Sequence, residues 1–260
     1  GLTTSSLNTL SGEQLSSLTS TQINGLTGAQ IGGLTTTALA ALSVTQLKGL
    51  TAAQMTSLGA GGGVSSLNAT QLAVLTSTQI GGLNADGVAA LSVTQIGLLA
   101  GTQLAGLTGT AIKGLNDAQV AALSASQLQA LTPAQIAALS TDAVDSLSAT
   151  QIAAMSTAQT RNLTATQLAA LTGAQIVGLE AAELTALTTT QMKGLTATLI
   201  GSLTSAQLAL FSSTQIAALS PQGIGGLTGA QLAGMSSGQL SALTGAQISA
   251  FSSEQFAGFT

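Results

Sequence analysis

The chain has 260 residues, 45% of them hydrophobic and only 5% charged, with four cations, eight acids and a net charge of −4. Charge this sparse argues against nucleic acid, which needs clustered Lys and Arg to neutralise phosphates, and against an anionic membrane surface. Histidine, cysteine, tyrosine and tryptophan are all absent, which removes the usual general base, the thiolate nucleophile and the commonest transition-metal ligands.

From Leu2 onward the chain repeats one eight-residue phrase: Leu, Ser/Thr, two variable residues, Gln, Ile/Leu and two small residues, as in Leu26-Thr27-Gly28-Ala29-Gln30-Ile31-Gly32-Gly33. Numbered from Leu2, octads 1 to 7 reach Leu58, a nine-residue unit 8 reaches Leu67, and octads 9 to 32 run to Phe259. A fixed short period is the signature of a solenoid or array. The expected organisation is therefore one octapeptide-repeat solenoid over residues 1–260, interrupted only by the one-residue insertion within 58–66. The chain opens one residue before a leucine and closes on the first two letters of another octad. The expectation is a segment of a longer repetitive chain, or a unit that continues end to end in a filament.

Each octad reads as one short helix. The Ser/Thr at position 2 is the N-cap and the Gln at position 5 is N3, which together form a capping box. The apolar residues at positions 1 and 6 are then N′ and N4, the hydrophobic staple. Position 2 is Ser, Thr or Asn in every unit except those of Gly59, Ala100 and Glu180. Both prolines, Pro133 and Pro221, fall at position 3, which is N1, where the missing N–H costs nothing. All four cations (Lys48, Lys113, Arg161, Lys193) fall at position 7. All acids but Asp145 fall at positions 2 to 5. That segregation suits the helix macrodipole.

A continuous helix would drift about 80° per octad and hold no apolar face. A flat strand would send positions 1 and 6 to opposite faces. A β-solenoid with corners stays open as the alternative, against which stands the abundance of Ala, Gln and Gly where β-branched residues would be expected. Helices of five to seven residues do not persist alone, so the octads must stack and bury positions 1 and 6 together. The fold class expected is all-α, a solenoid of short capped helices with about three octads per turn.

Taken in order, the irregular octads are 5 (Ala38), 8 (the glycine run), 11 (Gly87), 14 (Ala111), 17 (Pro133), 20 (Thr160-Arg161-Asn162) and 23 (Glu180, Glu183). That is every third unit, as if one column of a three-sided stack were less constrained. Octad 18 (Asp142, Ala143) breaks the series, and the last anomalies fall at octads 25 (Leu199) and 28 (Pro221, Gly223). The even-numbered octads of the cations hint instead at two per turn. Octad 20 is the one with a polar residue at position 6, so Thr160, Arg161 and Asn162 are the candidate partner contact. Phe251, Phe256 and Phe259 suggest a heavier packing layer near the end. Glycine at position 8, as in Gly25 and Gly49, suits the turn out of a helix.

Chemistry finds no foothold. Asp142/Asp145 and Glu180/Glu183 have the spacing to share a helix face, but two carboxylates are too few for a calcium cage, and Glu183 stands at the capping-box position. Asn68-Ala69-Thr70 and Asn162-Leu163-Thr164 are formal glycosylation sequons, although Asn68 reads better as an N-cap. No catalytic, cofactor-binding or metal residue is assigned, and no enzyme is expected. No apolar run approaches the length that spans a bilayer, so no membrane insertion is expected. Zero Cys suits export, and the opening residues do not read as a signal peptide.

The pattern of Leu171-Thr172-Gly173-Ala174-Gln175-Ile176 resembles octapeptide-repeat tracts of large secreted bacterial surface proteins, adhesin-like ones among them, and the resemblance covers essentially the whole chain. It implies an extracellular or cell-surface structural protein, serving as a stalk, rod or filament. Expected partners are other copies, associating end to end or laterally, and surface glycans. The alternative function is a module whose hydroxyls adsorb carbohydrate, ice or mineral.

Overall fold

A computed structural model of the chain describes residues 3–257. Among the described residues every regular element is helical: thirty-one α-helices of four to nine residues and one 3-10 turn, with no strand. The β-solenoid alternative therefore falls. The chain is extended between helices, where a position-2 N-cap turns it into the next helix and position-1 leucines such as Leu99 and Leu131 are extended before it. Thr132 is typical, at φ −67° and ψ 154°. Its Oγ1 accepts the Gln135 N–H at 3.2 Å, and its own N–H donates to Gln135 Oε1 at 2.7 Å. Pro133 occupies the first helical turn behind it. One such cap contributes roughly 1 kcal/mol, less than the cost of ordering two residues, so tertiary burial must hold the helices.

The described chain divides into two compact units, Gly1–Leu139 and Ser140–Thr260, and the same rules of packing hold within each. Position-6 residues such as Leu47, Ile96, Ile176 and Ile216 are fully enclosed, and position-1 leucines such as Leu50, Leu99, Leu179 and Leu219 are buried beside them. Each helix lies against those three octads away. In the first unit Gly28–Gly32 packs on Ala52–Ala60, and in the second Gly173–Val177 packs on both Ala149–Ala153 and Ala197–Ser202. This is the period of the irregular octads: helices of octads 11, 14 and 17 (Ala85–Ala89, Gly109–Ile112, Pro133–Ala138) stack successively on one another. Two octads per turn does not fit this packing.

The glycines at position 8 serve closeness rather than handedness. Gly25 and Gly49 leave their helices at φ −73° and −77°, open to any residue. A Cβ on Gly194, however, would stand 2.5 Å from the carbonyl oxygen of Ala165, three octads earlier. Small residues here let stacked backbones touch.

Unit 8 departs from one helix per octad. Gly59 offers no capping acceptor and no glutamine follows, so nothing stops the preceding helix, which runs nine residues from Ala52 to Ala60 through Leu58. Gly62 then turns the chain in the left-handed region (φ 71°), the one glycine among the described residues to do so. A 3-10 turn, Gly63–Ser66, delivers Val64 into the core. The extra residue is absorbed at Gly62.

At the far end Phe211 and Phe251 are buried, as a packing layer requires, but Phe256 is 47% exposed. Phe256 meets Phe251 edge-on, with ring centroids 5.8 Å apart, and no later turn covers it among the described residues. Phe259 lies outside the described residues.

Candidate functional site

The glutamines make a second set of bonds that the capping box does not require. In the first unit Gln46 Nε2 donates to the carbonyl oxygens of Leu15 and Leu18 at 2.8 and 2.7 Å. Gln103 does the same to Leu72 and Leu75 at 2.8 and 2.7 Å. In the second unit Gln231 reaches Ile200 and Leu203 at 2.8 and 2.7 Å, and Gln247 reaches Ile216 and Leu219 at 2.8 and 2.9 Å. In these four the acceptors are position 6 of the fourth octad back and position 1 of the third octad back; Gln207 and Gln255 take position 7 in place of position 6, reaching Val177 and Leu179, and Gly225 and Leu227. Each helix thus straddles the junction between two octads of the turn below, so a turn holds between three and four octads. This refines the expected three.

One side chain therefore closes its own helix through Oε1 and fastens it to the previous turn through Nε2. From Gln46 onward these glutamines are buried, at 1% to 8% exposure, apart from half-buried Gln207. Burying an amide is costly unless its groups are paired, and here both ends are. Sequence reasoning found the first role and missed the second, although a signal was present. A capping box accepts Glu as readily as Gln, yet position 5 is Gln in all the boxes and Glu once, at Glu183. Only an amide has a proton to give to a carbonyl.

The exceptions follow. Ala100 has no acceptor, so only the glutamine half of its box survives: its N–H donates to Gln103 Oε1 at 2.8 Å. Where position 5 is Ala111, Ala143 or Gly223, only the hydroxyl half remains. Glu183 does not act as a box residue: Glu180 receives no side-chain cap, and Glu183 Oε1 instead accepts the Thr157 hydroxyl at 3.1 Å. Its Oε2 is buried without a hydrogen-bond partner. Glu180 is exposed while Glu183 is buried, so the pair does not share a face. Asp142 and Asp145 are both exposed, at opposite ends of Thr141–Asp145.

The candidate contact of octad 20 is divided by the surface. Arg161 and Asn162 are exposed, but Thr160 is fully buried, with its hydroxyl unpartnered. Thr160 is enclosed like the position-6 residues Ile152 and Leu168 of the neighbouring octads, so it cannot meet a partner alongside the other two. Asn162 Nδ2 donates to the carbonyl of Ala158 at 2.9 Å, and Arg161 closes its helix as the C-cap. Asn68 is the N-cap its position implied, with Oδ1 accepting the Gln71 N–H at 3.0 Å. Among the described residues no three His, Cys, Asp or Glu gather as a metal site, and no helix is long and apolar enough to cross a membrane.

Repeated short helices, stacked within each unit and joined by the same side chain at each turn, define a repeat protein of the helical-solenoid class. Residues 126–157 match the ALTTAQ repeat family. That stretch contains Ala130-Leu131-Thr132-Pro133-Ala134-Gln135, which differs from the six letters of the family's name only at proline. No curated protein matches the chain.

Proposed function

We propose that this is a non-catalytic structural repeat protein of the cell exterior, which associates with further copies as the body of a rod or filament. The observation that carries the reading is the glutamine rung. The polar side chain that recurs most often at one fixed position of the octad, the glutamine of position 5, is spent on joining turn to turn, and an array that devotes its interior amides to its own continuation is suited to bearing structure. The low charge and the absence of cysteine are compatible with an exported surface or matrix component of bacterial, adhesin-like type. Adsorption of glycan, ice or mineral through hydroxyls is the weaker reading, because the position-2 hydroxyls are engaged in caps.

Electron microscopy of the purified chain tests the proposal, with elongated assemblies expected. Compact, unassociated particles at every concentration would count against a filament. Fractionation of the source cells tests the location, with the chain expected at the surface or in the medium.

A further inference from the structure

One rung of the second unit is built from oxygen alone. Before it, Gln175 Nε2 donates to the carbonyls of Val144, Asp145 and Leu147 at 3.3, 2.8 and 2.6 Å. After it, Gln191 Nε2 donates to those of Thr160 and Leu163, both at 2.8 Å. The register between them assigns Ile152 and Met155 to position 5 of octad 23, which is Glu183. Among the described residues no side chain donates to either carbonyl. Position 5 stands over such carbonyls even without a glutamine. A Cβ at Gly223, five octads on, would lie 2.6 Å from the carbonyl oxygen of Leu195, 28 residues back.

The carboxylate of Glu183 faces the turn below rather than its own cap. Its Oε1 accepts the hydroxyl of Thr157, two residues beyond Met155, at 3.1 Å. Its Oε2 is buried without a partner, on a side chain only 8% exposed. No cation pairs with it among the described residues, and Arg161 and Lys193 are both exposed. An amide here would offer protons to the two carbonyls, whereas a carboxylate offers only lone pairs. Leaving a buried carboxylate unpaired is costly. The charge is not needed to fill space, since Ala143 and Gly223 occupy the same position in the unit without one.

We propose that the seam at Glu183, between its carboxylate and the carbonyls of Ile152 and Met155, is a binding site for a monovalent alkali cation, sodium or potassium. Carboxylate and carbonyl oxygens are ligands for hard cations. One carboxylate balances one positive charge, and the set is too small for the six to eight oxygens of calcium. The cation takes the part that amide protons play at the other rungs, and it fastens Ala181–Ala186 to the turn below.

Thermal unfolding of the full 260-residue chain in sodium or potassium chloride, against choline chloride at equal ionic strength, tests it. Screening of exposed charges is common to the three salts, but the methyl-covered ammonium of choline cannot be ligated closely by oxygens. The midpoint is expected about 2 to 4 °C higher in at least one alkali chloride, and to saturate with concentration. Glu183→Gln supplies the amide itself, so its midpoint should be the same in all three salts, with its advantage over the parent chain largest in choline. Glu183→Ala removes the charge without adding an amide and should be equally indifferent, which keeps the test open if either variant folds poorly. An alkali response that persists in both variants would place the ion elsewhere and overturn the site. Equal parent midpoints in the three salts would also overturn it, and a response to calcium alone would overturn the monovalent assignment.

Discussion

Gln119 Nε2 donates to the carbonyl oxygen of Leu91, 28 residues earlier, at 2.6 Å, while Gln119 Oε1 accepts the N–H of Asn116 at 2.9 Å. A single amide thereby ends one problem of local structure and begins the solution of a tertiary one. Gln119→Glu separates the two roles, since it retains the acceptor and loses the donor. It should cost roughly 3 kcal/mol, because an unpaired carboxylate would face the carbonyls of Val88 and Leu91. The same change at exposed Gln14 should fall within about 0.5 kcal/mol. Urea unfolding of the two variants measures the difference, and equal midpoints would show that the cross-turn bond contributes nothing.

Glu183 is the natural counterpart of that experiment. By the spacing of the other rungs, an amide there would reach the carbonyls of Ile152 and Met155. Glu183→Gln should therefore stabilise the chain by about 1 to 2 kcal/mol, one hydrogen bond plus relief of a buried unpaired oxygen. A thermal midpoint that stays put or drops would contradict it.

Thr160 carries a hydroxyl to a position where every other octad is apolar. Thr160→Val keeps the shape and removes an unpartnered buried polar group, for an expected gain of about 1 kcal/mol. Differential scanning calorimetry reads it directly.

Two glycines should respond with opposite sign. Gly194→Ala drives a Cβ into the Ala165 carbonyl, and backbone cannot yield as a side-chain tip can, so a loss of roughly 1 to 3 kcal/mol is expected. Gly97 lies within the helix Val93–Leu98, and a Cβ there would meet nothing within 4 Å. Gly97→Ala should gain about 0.5 to 1 kcal/mol from helix propensity alone. Midpoints of thermal unfolding for the pair decide the matter.

Ala100 tests the cap in isolation. Ala100→Ser adds a hydroxyl acceptor for the Gln103 N–H, which otherwise donates to the Ala100 carbonyl at 2.9 Å, and a gain of about 0.5 to 1 kcal/mol is expected, visible as slower amide exchange in the helix Gly101–Ala105.

How far the residues foretell the structure depends on the reach of the interaction. Capping boxes, the proline sites and the end-to-end separation of charge involve neighbours within one octad, so Thr132, Pro133 and Lys193 could be placed by counting alone. The every-third rhythm of Ala38, Gly87 and Ala111 reported the packing period because stacked octads share a constraint. The half-octad stagger between turns was not readable, since it arises where Gln46 meets Leu15 and Leu18, and nothing in one octad names its partner in another. Thr160 misled for the same reason: a polar residue suggests a surface, but its octad aims position 6 inward as the neighbouring octads do with Ile152 and Leu168.

Gly62 bears on how such a chain changes length. Across the insertion Gln71 still finds Leu39 and Leu42, now 32 and 29 residues back, while beyond it Gln103 again finds Leu72 and Leu75 at 31 and 28. Partners are thus kept by counting phrases, not letters. Gain or loss of a whole phrase by unequal recombination would leave each surviving clasp with an equivalent mate, whereas a stray single residue demands a left-handed glycine to swallow it.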